Sequence, residues 1–194
     1  SKGDNTYTLA EAEKTDRGTA IVVKLKEDAI EYADPYKIDQ IVKKHSDFVA
    51  FPIQVKDKIA NRQTALWRQS PREVTDDQYD EFYRQLTLDF EKPLRHIHMV
   101  ADVPVDLHAI VYIPAKREPG VFSLRKAEGL KLYSKNILIQ DYYKDLLPNY
   151  FRFVQGVIDS EDLPLNVSRE AVQTNRAMAK LKSTLTHKIA SELD

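Results

Sequence analysis

Asp162–Glu170 reads DLPLNVSRE, and this stretch concentrates the most usable chemistry of the chain. Arg169 follows a proline-restricted loop, at the start of an expected helix. Its neighbours Asn166, Ser168 and Gln173 offer neutral hydrogen bonds that can orient a guanidinium without cancelling its charge. Gln173 lies four residues on, so it shares the helical face of Arg169. A planar guanidinium held in this way suits phosphate oxygens, which it grips with paired donors. On residue types alone, an arginine in a first helical turn is most often a solvated charge or a partner for Glu170 or Asp162.

Other reactive groupings are weaker. His96 and His98 share a strand face, and His108 would lie opposite His98 if the intervening turn falls near Val103, giving three imidazoles for zinc. No fourth ligand stands at a telling spacing, so no metal site is assigned. Asp141, Asp145, Asp159, Glu161 and Asp162 supply carboxylates, but a glycosidase needs a defined pair across a cleft. Ser168 lacks a G-x-S-x-G elbow. The five glycines are scattered, with neither G-x-x-x-x-G-K-[ST] nor G-x-G-x-x-G, so a phosphate-cradling loop is missing. Cysteine is absent, which removes thiolate chemistry and fits a reducing compartment. Trp67, the single tryptophan, reads as a half-buried strand residue packed on the following helix, or as an exposed aromatic contact. Val121, Phe122 and Leu124 form an apolar cluster within the polar loop Pro114–Gly129, a composition that often docks on a partner.

These residues need elements to place them. At 194 residues, 42% hydrophobic and 30% charged, the chain is long enough for one domain with part of another. Lys+Arg (29) and Asp+Glu (30) nearly cancel, which argues against nucleic acid and anionic membrane as partners. No apolar run is long enough to span a bilayer, and no signal peptide is expected at the start. Residues 6–26 read as a β-hairpin turning at Asp16-Arg17-Gly18, followed by a polar linker over 26–34. Asp34-Pro35 opens a helix carrying Ile38, Ile41, Val42 and His45. Phe48–Lys56 alternates as a strand, with a polar connection over Asp57–Thr64. Thr75 and Gln78 form a capping box ahead of an apolar stripe of Tyr79, Phe82, Tyr83, Leu86 and Phe90. Arg95–Val100 and Leu107–Ile113 make a second hairpin, and Leu130–Ile139 reads as one strand. From Ser168 the pattern is helical, with Val172, Met178, Leu181, Leu185, Ile189 and Leu193 on one side. The expected class is α/β (α+β), a layered mixed sheet flanked by helices.

Several strings together carry a resemblance: IVKKHSDFVAFPI (41–53), ALWRQSPREVTDDQYDEFYRQLTLDFEKPL (65–94), GLKLYSKNILIQD (129–141) and LLPNYFRFVQGVIDSEDLPLNVSRE (146–170). In this order they resemble the middle domain of the ninety-kilodalton heat-shock chaperones, nearest to the bacterial members. The resemblance implies a ribosomal-S5-domain-2-like middle domain over 28–194. It also implies that 1–27 is the closing hairpin of a preceding ATP-binding domain, either poorly ordered without its sheet or paired with another copy. The short connection at 26–34 suggests a bacterial or organellar, cytoplasmic protein of the stress response. In such a protein ATP and Mg²⁺ are bound by the N-terminal domain, and homodimerisation is through a C-terminal domain. Unfolded or partly folded clients are the other partners. Arg169 would then reach the γ-phosphate, with Asn166 and Gln173 in support, in a full-length ATPase whose middle fragment is inactive alone. Trp67 would be a client contact. An apolar patch of the 114–129 loop would touch the nucleotide domain; Gly120 stands where bacterial relatives carry a large aromatic, and Phe122 either takes over that contact or packs in the core. The alternative is a non-catalytic client or cochaperone module.

Overall fold

The computed structural model describes residues 5–11, 13–116, 129–163 and 176–193. Over 5–26 the described residues form no strand, and Tyr7, Leu9, Ile21, Val22 and Val23 are exposed, Val22 at 95%. The hairpin expected there is therefore not formed. A two-stranded ribbon without a further strand or a core to cover is marginal in water, and these apolar side chains have no such cover. The linker expected after it is a 3-10 helix, Glu27–Ala33.

Helix α1 (Pro35–His45) starts as expected, with the Asp34 carboxylate accepting from Tyr36 N at 3.0 Å and Pro35 in the first position. The next segment departs from expectation. Only Gln54–Val55 (β1) and Lys58–Ile59 (β2) pair as strands, where a strand over 48–56 and a polar connection were read. Pro52 offers no backbone donor, and the buried Asn61 takes over the ladder's role. Asn61 donates to Val49 O (2.8 Å) and Phe51 O (3.0 Å) and accepts from Ile53 N (2.8 Å).

Helix α2 (Asp76–Thr87) carries the capping box in full, Thr75 N donating to Gln78 Oε1 at 2.9 Å. Leu88 ends it in the left-handed region (φ 58°), so Phe90 leaves the stripe and is 86% exposed. Strands β3 (Arg95–Ala101) and β4 (Leu107–Ile113) form the expected hairpin, centred on Pro104 because Ala101 pairs with Leu107. His98 therefore faces Ile110 and His108 faces Val100, two residues from the register that would oppose the two histidines.

Residues 130–143 are two strands where one was read. β5 (Leu130–Ser134) and β6 (Ile137–Tyr143) are joined by Lys135-Asn136, both with positive φ (51° and 63°), the geometry of a tight hairpin turn. Strand β7 (Gln155–Asp159), hidden in an aromatic and basic stretch, is the centre of the sheet. The order is β3-β4-β7-β5-β6, with β7 antiparallel to β4 and parallel to β5.

Helix α3 (Arg176–Leu193) covers one face of this mixed sheet. Its Met178, Leu181, Leu185 and Ile189 pack with Ile97, Met99, Ala109, Val111, Leu132 and Ile158. On the other face Trp67, Tyr79, Phe82 and Tyr83 pack with Ile110, Tyr112, Tyr133 and Val157. The alternation of each strand thus divides its side chains between two cores. Both layers converge on β7, whose five residues are all buried.

Candidate functional site

Arg169, Asn166, Gln173 and Ser168 lie outside the described residues, as does Phe122. The structure does describe how the chain enters and leaves that segment. It enters from the carboxyl end of the central strand β7. Leu163 on the entering side and Met178 on the leaving side are buried in one and the same core cluster.

The entry is held by a network that starts at Asp159, whose side chain has no exposed surface. Its Oδ2 accepts from Trp67 Nε1 (3.1 Å), Arg68 Nε (3.0 Å) and Asn136 N (3.0 Å). Arg68 Nη2 lies 3.0 Å from Oδ1, so the guanidinium edge faces both carboxylate oxygens. Arg68 Nη1 reaches onward to Glu161 Oε1 at 3.2 Å. Burial works against the Arg68 charge, but the hydrogen bond and charge of Asp159, with Asp106 and Glu161 beyond it, push its pKa up. Glu161 N donates to Asp106 Oδ1 at 2.7 Å, and Asp106 N donates to Asp162 Oδ2 at 2.8 Å. The β3–β4 turn and the β7 exit therefore clamp each other through reciprocal side chain to backbone bonds.

Local sequence explains the parts. Arg68 is brought under the sheet edge by the 3-10 turn Leu66–Arg68, which seats Trp67 between Phe48 (centroids 4.6 Å apart) and Tyr133 (4.8 Å). Trp67 is 0% exposed, which corrects the expectation of an exposed or half-buried strand aromatic. Its ring fills the core, and its one polar atom is spent on Asp159. A client cannot touch this ring without local opening. Asp159 and Arg68 had no assigned role in the sequence. A charged pair 91 positions apart has no local spacing to betray it. The only hint is an arginine abutting a lone tryptophan.

His98 is also spoken for. His98 Nε2 lies 3.2 Å from Trp67 O, which can only accept, so Nε2 carries the proton and Nδ1 accepts from Tyr79 Oη at 2.7 Å. His96 stacks on Tyr79 with centroids 3.9 Å apart. With both His98 nitrogens engaged, three imidazoles cannot converge on zinc. Asp102, Asp106 and His108 bring one ligand atom each within 4.8 Å of one another; Asp106 Oδ1 accepts from Glu161 N, and its Oδ2 lies 3.5 Å from His108 Nε2.

Among the described residues, no helix is long and apolar enough to cross a membrane. The family model described as Hsp90 protein matches residues 54–194. A protein named Chaperone protein HtpG from Nitratidesulfovibrio vulgaris is 43% identical over 196 residues, spanning 100% of this chain and 31% of the relative. The proteins of that name from Chlorobium chlorochromatii and Geobacter sulfurreducens are 43% and 38% identical, over 97% and 100% of this chain and 30% and 34% of theirs. The chain thus spans about a third of the length of these relatives. With the family model matching well over half its length, the chain belongs to the Hsp90 protein family.

Proposed function

We propose that this chain is the middle part of an ATP-dependent molecular chaperone of the bacterial cytoplasm, and that it completes an ATPase site whose pocket lies in a preceding domain. Residues 1–27 would belong to that domain and 28–194 to the larger part of the middle domain. Homodimerisation would be through a domain beyond this stretch, and unfolded proteins would be the clients. The names of the relatives support the chaperone reading, and their greater length leaves room for the other domains.

The nucleotide, with Mg²⁺, would supply the phosphoryl group from the preceding domain, since the scattered glycines here form no phosphate loop. The chain's own contribution would be a fixed donor. The observation that carries this assignment is the commitment of Arg68, the arginine at the root of the segment, to Asp159 and Glu161. Arg169, the only basic residue of 164–175, would supply the cation for phosphate in its place, as the resemblance to the ninety-kilodalton heat-shock chaperones implies. Its fork would stabilise charge developing on the phosphoryl oxygens, with Asn166 and Gln173 orienting it.

In the full-length protein Arg169→Ala is expected to lower ATP turnover by at least about tenfold while nucleotide affinity stays the same. Arg169→Lys should restore little, because a point charge does not reproduce the planar fork. Normal turnover in Arg169→Ala would remove the catalytic assignment and leave a pure interaction module.

A further inference from the structure

We propose that the groove between α2 and residues 62–69 binds a short extended peptide in which an apolar residue stands beside lysine or arginine. The inference deepens the client part of the function proposed above, and rests on that reading only for the source of such peptides, unfolded chains. The groove has a volume of about 250 Å³ and an apolar floor of Phe48, Leu66 and Phe82. Gln78, Glu81 and Gln85 line it from α2, three and four residues apart and so on one helical face. Arg62, Thr64 and Gln69 form the facing wall.

Both walls hold polar groups that the fold leaves unspent. The Gln78 oxygen serves Thr75 in the capping box, but Gln78 Nε2, the Thr64 hydroxyl and the Gln69 amide are bonded to no described residue. An extended backbone offers donors and acceptors to both sides, which these groups match. From Gln78 to Gln85 α2 rises about 10 Å, the length of about three extended residues, so the floor takes one side chain.

Charge selects its neighbours. Arg62 Nε lies 3.2 Å from Asp47 Oδ2 and its Nη1 donates to Gln85, so this cation is already compensated. Glu81 accepts from Gln85 Nε2 at 2.9 Å and has no cationic partner among the described residues. Its carboxylate is the uncompensated charge of the groove, which favours a cationic residue beside the apolar one. Phe48 and Phe82 also pack on Trp67, with centroids 4.6 and 5.8 Å away. A side chain seated on them therefore alters the surroundings of the single tryptophan without touching it.

The test uses the whole chain and three capped peptides: SGKLRGS, the charge-reversed SGELDGS, and SGKSRGS, which lacks the apolar residue. Calorimetry gives the affinities, and Trp67 emission reports the site. SGKLRGS is expected to bind saturably, to change the emission, and to bind at least about tenfold more tightly than either of the others. Glu81→Lys should reverse the order of SGKLRGS and SGELDGS, and Glu81→Gln should narrow their difference to within about threefold. Melting temperatures should not change, because Glu81 is exposed. Absence of saturable binding overturns the inference, as does equal binding of the two charged peptides. Binding that leaves Trp67 emission unchanged, or a preference that survives both substitutions, overturns it too. The measurement needs no nucleotide, so its failure leaves the ATPase reading standing. Normal ATP turnover in full-length Arg169→Ala removes that reading and leaves the groove in place.

Discussion

Asp159 and Arg68 meet where little water reaches, Asp159 fully covered and the Arg68 side chain 21% exposed. Taking two such charges from water loses several kcal/mol of hydration for each, roughly what their mutual attraction returns. The pair therefore contributes little net stability relative to a well-packed apolar replacement, but removing one partner strands the other. Arg68→Met is expected to lower the unfolding free energy by about 3–5 kcal/mol, toward the lower figure because some solvent reaches the site. Adding Asp159→Asn removes the stranded charge and keeps an oxygen for Trp67 Nε1 and Asn136 N. The double variant should be more stable than Arg68→Met alone, as urea unfolding of the three proteins will show. Equal stability would mean that lost packing of the Arg68 stem, and not the stranded charge, dominates.

At the scale of elements the decisive position is Gly156, in the middle of β7 with φ +155°. A Cβ there would lie 2.3 Å from Ile110 O and 2.8 Å from Val111 Cα, both backbone atoms of the neighbouring strand β4. Neither can yield without parting the β4–β7 ladder. Gly156→Ala should therefore destabilise beyond the roughly 1–3 kcal/mol of ordinary overpacking, and insoluble or unfolded protein by circular dichroism is the expected outcome. A soluble variant with near-parental stability would refute the close approach. This strand also marks the limit of what was legible beforehand. Helices with local signals could be read directly: Asp34-Pro35 opens α1, and Thr75 with Gln78 opens α2, because caps act within four residues. β7 is buried on both faces and so lacks the alternation that betrays a half-buried strand. The Lys135-Asn136 turn was missed because neither residue is glycine, although asparagine tolerates positive φ. The reading of the segment around Arg169 rests on resemblance alone, whereas the Asp159 network depends on tertiary contacts that no local pattern encodes.

On the scale of the whole molecule the two cores share one sheet, and His98 ties the sheet to the layer above it. From β3 the ring donates to Trp67 O in the 3-10 turn and accepts from Tyr79 Oη on α2, a chain that requires the neutral imidazole. Burial, opposed by the Trp67 carbonyl bond and reinforced by His96 and His108, holds its pKa below the ordinary value near 6.5. An unfolded chain then takes up a proton at a pH where the folded chain refuses it, so stability rises with pH across that interval. The contribution is complete above about pH 6.5 and is lost on acidification below it, by at most about 1.4 kcal/mol per pH unit for one proton. Trp67 provides the readout, because it is the only tryptophan, its side chain is buried, and its own carbonyl accepts from His98. Urea unfolding followed by its fluorescence should give a lower midpoint at about pH 5.5 than at about pH 7.5. In His98→Gln, which retains polar atoms but no titrating ring, the difference should shrink. The quantity that decides is the change in pH dependence between parent and variant. An unchanged pH dependence would mean that His98 takes up its proton equally in the folded and unfolded states, and that the bridge between sheet and helix survives a charged imidazole.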